Sequence, residues 1–229
     1  MKSIADMVSG DSVADIGCDH GFVCIYLIQE KGIRHAIAMD INDGPLLRAK
    51  EHISRYGLDD RIDIRKSDGA INLNDGEADC AIIAGMGGRL TIKILKDSAE
   101  KFRKMDSIVL SPHSEADIVR GYLAESGYVI EDEDMVYDEG KYYPIIKCSY
   151  SGDNDPKRIM DETELLYGGV LIRKKHPVLK DYLIYRHDKL TEIKERLSQK
   201  GYATESAGHT RLKEVSHQLK MIEKLIDGM

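Results

Sequence analysis

The 229-residue chain has no apolar run approaching the roughly 20 residues needed to span a bilayer, which excludes a protein held in the membrane by apolar helices. Its opening, "MKSIADMVSGDS", lacks the apolar stretch of a secretory signal, so a soluble cytoplasmic protein is expected. Four cysteines, Cys18, Cys24, Cys80 and Cys148, include no C-x-x-C pair. Neither a zinc site nor a disulfide framework is therefore expected, no metal is invoked, and the cysteines read as buried thiols. Positive charge is scarce too: the formal net charge of −7 gives no global basic field to advertise a nucleic-acid partner. The scarcity is uneven, because residues 1–150 carry 18 Lys and Arg against 27 Asp and Glu, and residues 151–229 carry 15 against 13. A polyanion is expected to prefer the second part.

What is present is a regular alternation of apolar strands and amphipathic helices. "VADIG", "HAIAMD", "RIDIRKSD", "ADCAIIAG" and "SIVLSP" read as strands, with helices over Phe22–Glu30, Pro45–Tyr56, Leu90–Phe102 and Glu115–Ser126 between them. This is the signature of βαβ units on a parallel sheet. "YVIEDEDMVYD" and "YYPIIKCSY" have no helix between them, and "DEGK" (138–141) is a turn, so the last two of seven strands form an antiparallel hairpin. A doubly wound α/β sheet ending this way is the Rossmann-like class I methyltransferase arrangement, whereas NAD-dependent dehydrogenases usually continue with parallel strands.

"SGDNDPKR" (151–158) marks a boundary, giving a domain at 1–152 and a helical tail at 153–229. In the tail, Leu179, Leu183, Leu190, Ile193 and Leu197 form a stripe with Arg186 in one slot, and Leu212, Val215, Leu219, Ile222 and Ile226 form another. Joined through "KGYATESAGHT", they read as an antiparallel, coiled-coil-like helical hairpin, with a dimerising helix as the alternative. The hairpin reading makes the chain a monomer.

"DIGCDHG" (15–21) stands where a nucleotide-binding protein carries G-x-G-x-x-G, yet Gly17 and Gly21 flank Cys18, Asp19 and His20. Asp15, Asp40 and Asp68 each end one of three successive strands, so all reach the carboxyl edge of the sheet. S-adenosylmethionine is cationic, bears a ribose diol and has no phosphate, which suits carboxylates better than a nest of N–H groups. Asp40, with Ile41 beside it, is expected on the ribose, Asp68 with Gly69 on the adenine, and Gly17 beneath the methionine portion. Each acid or glycine taken alone is equally a turn-former or a helix cap.

After strand four the chain has "AGMGG", with Gly85 and Met86 assigned to the cofactor site, and not the N/D-P-P-Y/F that holds an exocyclic amine. A ring nitrogen suits this turn better. Residues "ADIGCDHG", "GP" at 44–45, "SDG" at 67–69, "IAGMGG" and "EGKYYPII" resemble the bacterial tRNA methyltransferases that act on N1 of adenine 22 in the D-arm. The resemblance runs over almost the whole chain. It implies S-adenosylmethionine as cofactor, 1-methyladenosine in tRNA as product, and a C-terminal coiled-coil hairpin on a Rossmann-type domain. The chain departs from the family pattern at Ser111-Pro112-His113, where members carry Gln-Pro-Asn.

Adenine N1 is already nucleophilic, so positioning carries the reaction, and a carboxylate near the ring would stabilise the positive charge that develops there. Asp19 is expected to supply it; the alternative is a carboxylate that bonds its own turn. His20 reads as a helix-start residue on the substrate side and not as a base. N1 lies on the Watson–Crick edge, so the adenine must be turned out of its helix. Arg89, Arg173, Lys174 and Lys175, with Lys180, Arg186, Lys189 and Arg211, are the candidate phosphate contacts, and His113, Tyr142 and Tyr143 the candidate contacts to the displaced base. A methyltransferase for small molecules or proteins, and a cofactor-binding scaffold, remain alternatives on the residues alone.

Overall fold

A computed structural model describes residues 1–152, 159–199 and 206–229. The chain divides into two compact units, Met1–Leu166 and Tyr167–Met229.

In the first unit, helices α1 (Lys2–Met7), α2 (Phe22–Glu30), α3 (Asp43–Arg55), α4 (Gly88–Asp97), α5 (Ala99–Phe102) and α6 (Ala116–Glu125) alternate with strands β1 (Ser12–Ile16), β2 (His35–Asp40), β3 (Ile62–Lys66), β4 (Cys80–Ala84) and β5 (Ser107–Ser111). β6 (Tyr128–Asp138) and β7 (Lys141–Tyr150) complete a seven-stranded sheet ordered β3-β2-β1-β4-β5-β7-β6. β1 pairs in parallel with both β2 and β4, while β7 runs antiparallel to β5 and β6. The hairpin turns through Glu139 and Gly140, both left-handed at φ 46° and 80°, the backbone that a two-residue type I′ turn requires.

The central strands are apolar throughout because both faces of the sheet are covered. Ala14 and Ile16 of β1 enter one core with Ala81 and Ile83 of β4, while Val13, Cys80 and Ile82 enter the other. All four cysteines are free and buried in these layers. Chain order reverses between β1 and β4, so a crevice opens at their carboxyl ends.

The helix expected over Leu90–Phe102 is broken at Ser98 (φ −127°, ψ 31°) into α4 and α5, and Phe102 at the end of α5 is fully buried. α7 (Glu162–Tyr167), unforeseen in the sequence, begins beyond the 152/153 boundary, yet residues 159–166 belong with the sheet unit. The physical reason is a buried ion pair. Arg120 Nε on α6 donates to Glu133 Oε1 on β6 at 2.7 Å with both side chains sealed from solvent, and Arg120 Nη1 donates to the Leu165 carbonyl at 2.8 Å. Residues 153–158 of the boundary segment lie outside the described residues.

The second unit contains α8 (Gly169–Arg173), α9 (Pro177–Gln199) and α10 (Ser206–Gly228). α9 opens on proline, whose missing N–H costs nothing at a first helical position. The seven peptide steps from Gln199 to Ser206 reach at most about 25 Å, short of the roughly 34 Å of either helix, so α9 and α10 pack antiparallel. Leu179, Leu183 and Leu190 are buried, as are Val215, Leu219 and Ile222. α10 begins at Ser206, so residues 206–210 of the segment read as a loop are helical, and 200–205 lie outside the described residues. Among the described residues no helix is long and apolar enough to cross a membrane.

Candidate active site

A cavity of about 370 Å³ opens at the β1/β4 reversal. Asp15, Gly17, Cys18 and Asp19 line it from the end of β1, Gly85 from β4, Ser111 and His113 from β5, and Asp138 and Tyr143 from the terminal hairpin. Ile4, Val23 and Ile145 supply apolar wall.

The turn after β1 is built from left-handed backbone at Gly17 (φ 81°), Asp19 (φ 46°) and Gly21 (φ 71°). Aspartate is one of the few side chains that tolerates this region. The N–H groups of Gly17 and Cys18 both donate to the Met39 carbonyl, at 2.8 and 2.9 Å, which ties the turn to β2. Two donors that a dinucleotide fingerprint offers to pyrophosphate are thus spent on the sheet. A Cβ at residue 17 would overlap the Met86 methyl, so Met86 acts beneath the turn and does not line the cavity.

Asp15 is only 4% exposed, with the Cys24 thiol donating to its Oδ2 at 3.7 Å. Burial pushes its carboxyl up to about 7; the thiol opposes this and the Asp40 charge adds to it. Burial likewise raises the Cys18 and Cys24 thiols, which removes them as nucleophiles at neutral pH. Asp19 is the opposite case. Its side chain is 62% exposed, Arg48 on α3 donates to Oδ1 at 2.9 Å, and His20 Nε2 stands 3.4 Å from Oδ2.

Of the expected site residues, Asp15, Gly17, Asp19, Gly85 and His113 meet in the cavity. Asp40 is half-buried with Oδ1 accepting the Asn42 N–H at 2.9 Å, and Ile41 and Asp68 are exposed at the ends of β2 and β3. Gly69 turns at φ 60° against Ile94. These four rim the sheet outside the cavity. Arg89 is paired to Glu115 at 2.9 Å, a bond that raises its guanidinium further. Tyr142 packs on Tyr137 with ring centroids 4.6 Å apart, and it is Tyr143 that faces the cavity, tilted against His113 at 5.0 Å. Arg173 closes α8 and is exposed together with Lys174 and Lys175, in the second unit.

Sequence reasoning missed α1, whose Met1 and Ile4 reach the cavity; Ile4, Ala5, Met7 and Val8 at helical spacing were the available signal. It also missed Asp138 and Arg48, for which pattern alone offers none.

A doubly wound sheet of this order, closed by an antiparallel hairpin and hollowed at the β1/β4 reversal, defines a class I, Rossmann-like methyltransferase. The chain belongs to the tRNA (adenine(22)-N(1))-methyltransferase family, whose profile matches residues 13–224. The tRNA (adenine(22)-N(1))-methyltransferase of Bacillus subtilis (strain 168) is 30% identical over 230 residues, covering 99% of this chain and 95% of its own. A crystal structure of the B. subtilis M1A22 tRNA methyltransferase superposes with a TM-score of 0.83 at 30% identity, covering 98% of this chain and 96% of that one. A Streptococcus pneumoniae protein solved in complex with S-adenosyl-L-methionine shares the fold at a TM-score of 0.83 and 22% identity, over 98% and 97% of the two chains. Membership makes this chain a methyltransferase for N1 of adenine in tRNA.

Proposed function

We propose that the β1/β4 cavity takes S-adenosylmethionine and the target adenine of tRNA together, with Asp19 on the acceptor side. The observation that carries this reading is the meeting of Asp15, Gly17, Asp19 and Gly85 around one cavity at the strand-order reversal. The residues present fit that cofactor. A buried carboxyl at Asp15 suits a cationic ligand, Asp40 and Ile41 rim the side expected for the ribose, Asp68 and Gly69 the side expected for the adenine, and the turn donors bound to Met39 leave little for a phosphate. The cofactor supplies an electrophilic methyl group on a sulfonium.

The chain's own residues position and stabilise. Adenine N1 needs no base to become nucleophilic, so orientation of the ring against the methyl is the main task. Positive charge appears on the adenine as its N1 is alkylated, and the Asp19 carboxylate stabilises that charge through Oδ2 while Arg48 holds Oδ1. His113 and Tyr143 present rings to the base from the opposite wall. The second unit, less acidic than the first, grips RNA phosphates through Arg173, Lys174 and Lys175. Lys189 and Arg211 contribute less, since each is paired within its own helix to Glu192 and Glu214. Every residue invoked comes from one chain, so a monomer suffices, and a tRNA substrate places the reaction in the cytoplasm.

Pure protein incubated with methyl-labelled S-adenosylmethionine and bulk bacterial tRNA, followed by digestion to nucleosides, tests this. Label in 1-methyladenosine is expected. Label in another nucleoside, or none in RNA, overturns it.

A further inference from the structure

Beside the cavity lies a cluster of rings that the methyl-transfer reading does not use. The segment "DHGF" places His20 and Phe22 on either side of Gly21, whose left-handed backbone (φ 71°) starts α2. Phe22 is the first residue of that helix and remains 42% exposed, although Cys24 and Ile25 immediately after it are buried. His52 of α3 comes up beside it. The Phe22 and His52 centroids are 4.5 Å apart at an interplanar angle of 21°, His20 and Phe22 are 5.9 Å apart at 19°, and His20 and His52 are 5.6 Å apart at 35°.

Three near-parallel rings at these distances form a tiled aromatic surface, and it is pinned. His52 Nδ1 is 3.0 Å from the His20 carbonyl oxygen, and His20 Nε2 is 3.4 Å from the Asp19 carboxylate. His20 Nδ1 is turned inward without a hydrogen-bond partner, so ring-face contacts and not polar pairing at that atom set its orientation. A cleft of about 500 Å³ adjoins, lined by Phe22, Tyr26, Tyr56, Lys2 and Glu30, with Tyr56 49% exposed. Met1 lines both this cleft and the methyl-transfer cavity, so the two are continuous.

We propose that His20, Phe22 and His52 form a stacking platform for an unpaired base of the RNA substrate next to the methylated adenine. The proposal rests on the tRNA reading above and adds a site to it. Turning the target adenine out of its helix unstacks its neighbour, which exposes a base face at the lip of the cavity. Aromatic rings take up such a face whatever its sequence. Rings already held in place lose little freedom on binding, which is what a platform requires. Lys2 and the Arg48 guanidinium bring positive charge for the adjoining backbone.

The test uses the full chain and unmodified bacterial tRNA. Phe22→Leu is expected to weaken tRNA binding about tenfold or more, with Phe22→Trp restoring it, while affinity for S-adenosylmethionine stays within about twofold. Unchanged tRNA affinity in Phe22→Leu, or a parallel loss of cofactor affinity, overturns the platform. Should that variant fail to fold, the wild-type protein decides with a D-arm minihelix bearing 2-aminopurine beside the target adenine. The probe is expected to stay quenched on binding, and a probe that brightens overturns the proposal. Failure of the wild type to methylate tRNA would sink the functional reading itself; a methylating wild type with unaffected ring variants sinks only the platform.

Discussion

Two glycine-containing turns flank the cavity, one after β1 and one after β4, and they use glycine for different physical ends. In the first, Gly17 supplies a left-handed backbone, and Asp19 between the two glycines shares that conformation and brings a carboxylate. In the second, Gly88 has no left-handed backbone; instead, a Cβ there would stand 2.5 Å from the Glu115 carbonyl oxygen. Gly87 bridges Ser114, the Gly88 N–H donates to the Ser114 carbonyl at 3.0 Å, and the His113 N–H donates to Met86 at 2.8 Å. The β4 turn is therefore laced to the segment after β5. One turn presents chemistry, and the other holds His113 at the wall. Similar composition carries different work because the first turn faces a cavity and the second faces backbone.

Asp19→Asn sharpens this contrast most. Asparagine tolerates the same left-handed backbone, so the fold and cofactor affinity should persist while kcat falls about 10²- to 10³-fold. Single-turnover methylation of tRNA at saturating cofactor isolates the chemical step. A rate within about threefold of wild type, far from the expected loss, would return Asp19 to a turn-forming role.

Gly88→Ala probes the other turn. Helix propensity alone predicts a gain of up to about 1 kcal/mol at the start of α4; overlap with the Glu115 carbonyl predicts a loss of about 1–3 kcal/mol. Loss is expected, read as a lower denaturation midpoint with cofactor affinity nearly intact. Stabilisation would show that the close approach relaxes freely and the turns are more alike than argued.

The smallest effect concerns Asp15, beneath the β1 turn. Its carboxyl sits at about 7 in the folded protein against an ordinary 3.8, because burial disfavours the charge. Between these values the folded state keeps a proton that the unfolded chain has lost, so stability falls as pH rises through that window. The slope is at most about 1.4 kcal/mol per pH unit. Chemical denaturation of the cofactor-free protein from pH 4 to 7.5 is expected to show wild type losing stability relative to Asp15→Asn. A difference that is flat with pH removes the buried acid as the cause.

Much of the sheet unit was legible because its signals are local. α2 begins and ends where the apolar spacing and Gly21 place it, the parallel strands read as apolar runs, and the type I′ turn announces the hairpin. α1 and α7, of six residues each, and α8, of five, are too short to show a helical period, and none was foreseen. The site was legible as a set of strand ends and turns. Which strand-end acid enters the cavity was not, since Asp15, Asp40 and Asp68 look alike in the chain, yet Asp15 lies in it and the other two rim the sheet outside.

The sequence by itself determined the kinds of elements, their order, the hairpin that ends the sheet and the tight turn at Gly17, because periodicity and backbone sterics act over a few residues. Tertiary structure alone decided that Arg48 holds Asp19, that His52 joins His20 and Phe22, that Tyr143 and not Tyr142 faces the cavity, and that Arg120 and Glu133 are buried together. Each of these depends on where a distant or facing element lands once the chain closes, and whether a charge is buried or exposed is set by that closure and not by its neighbours in sequence.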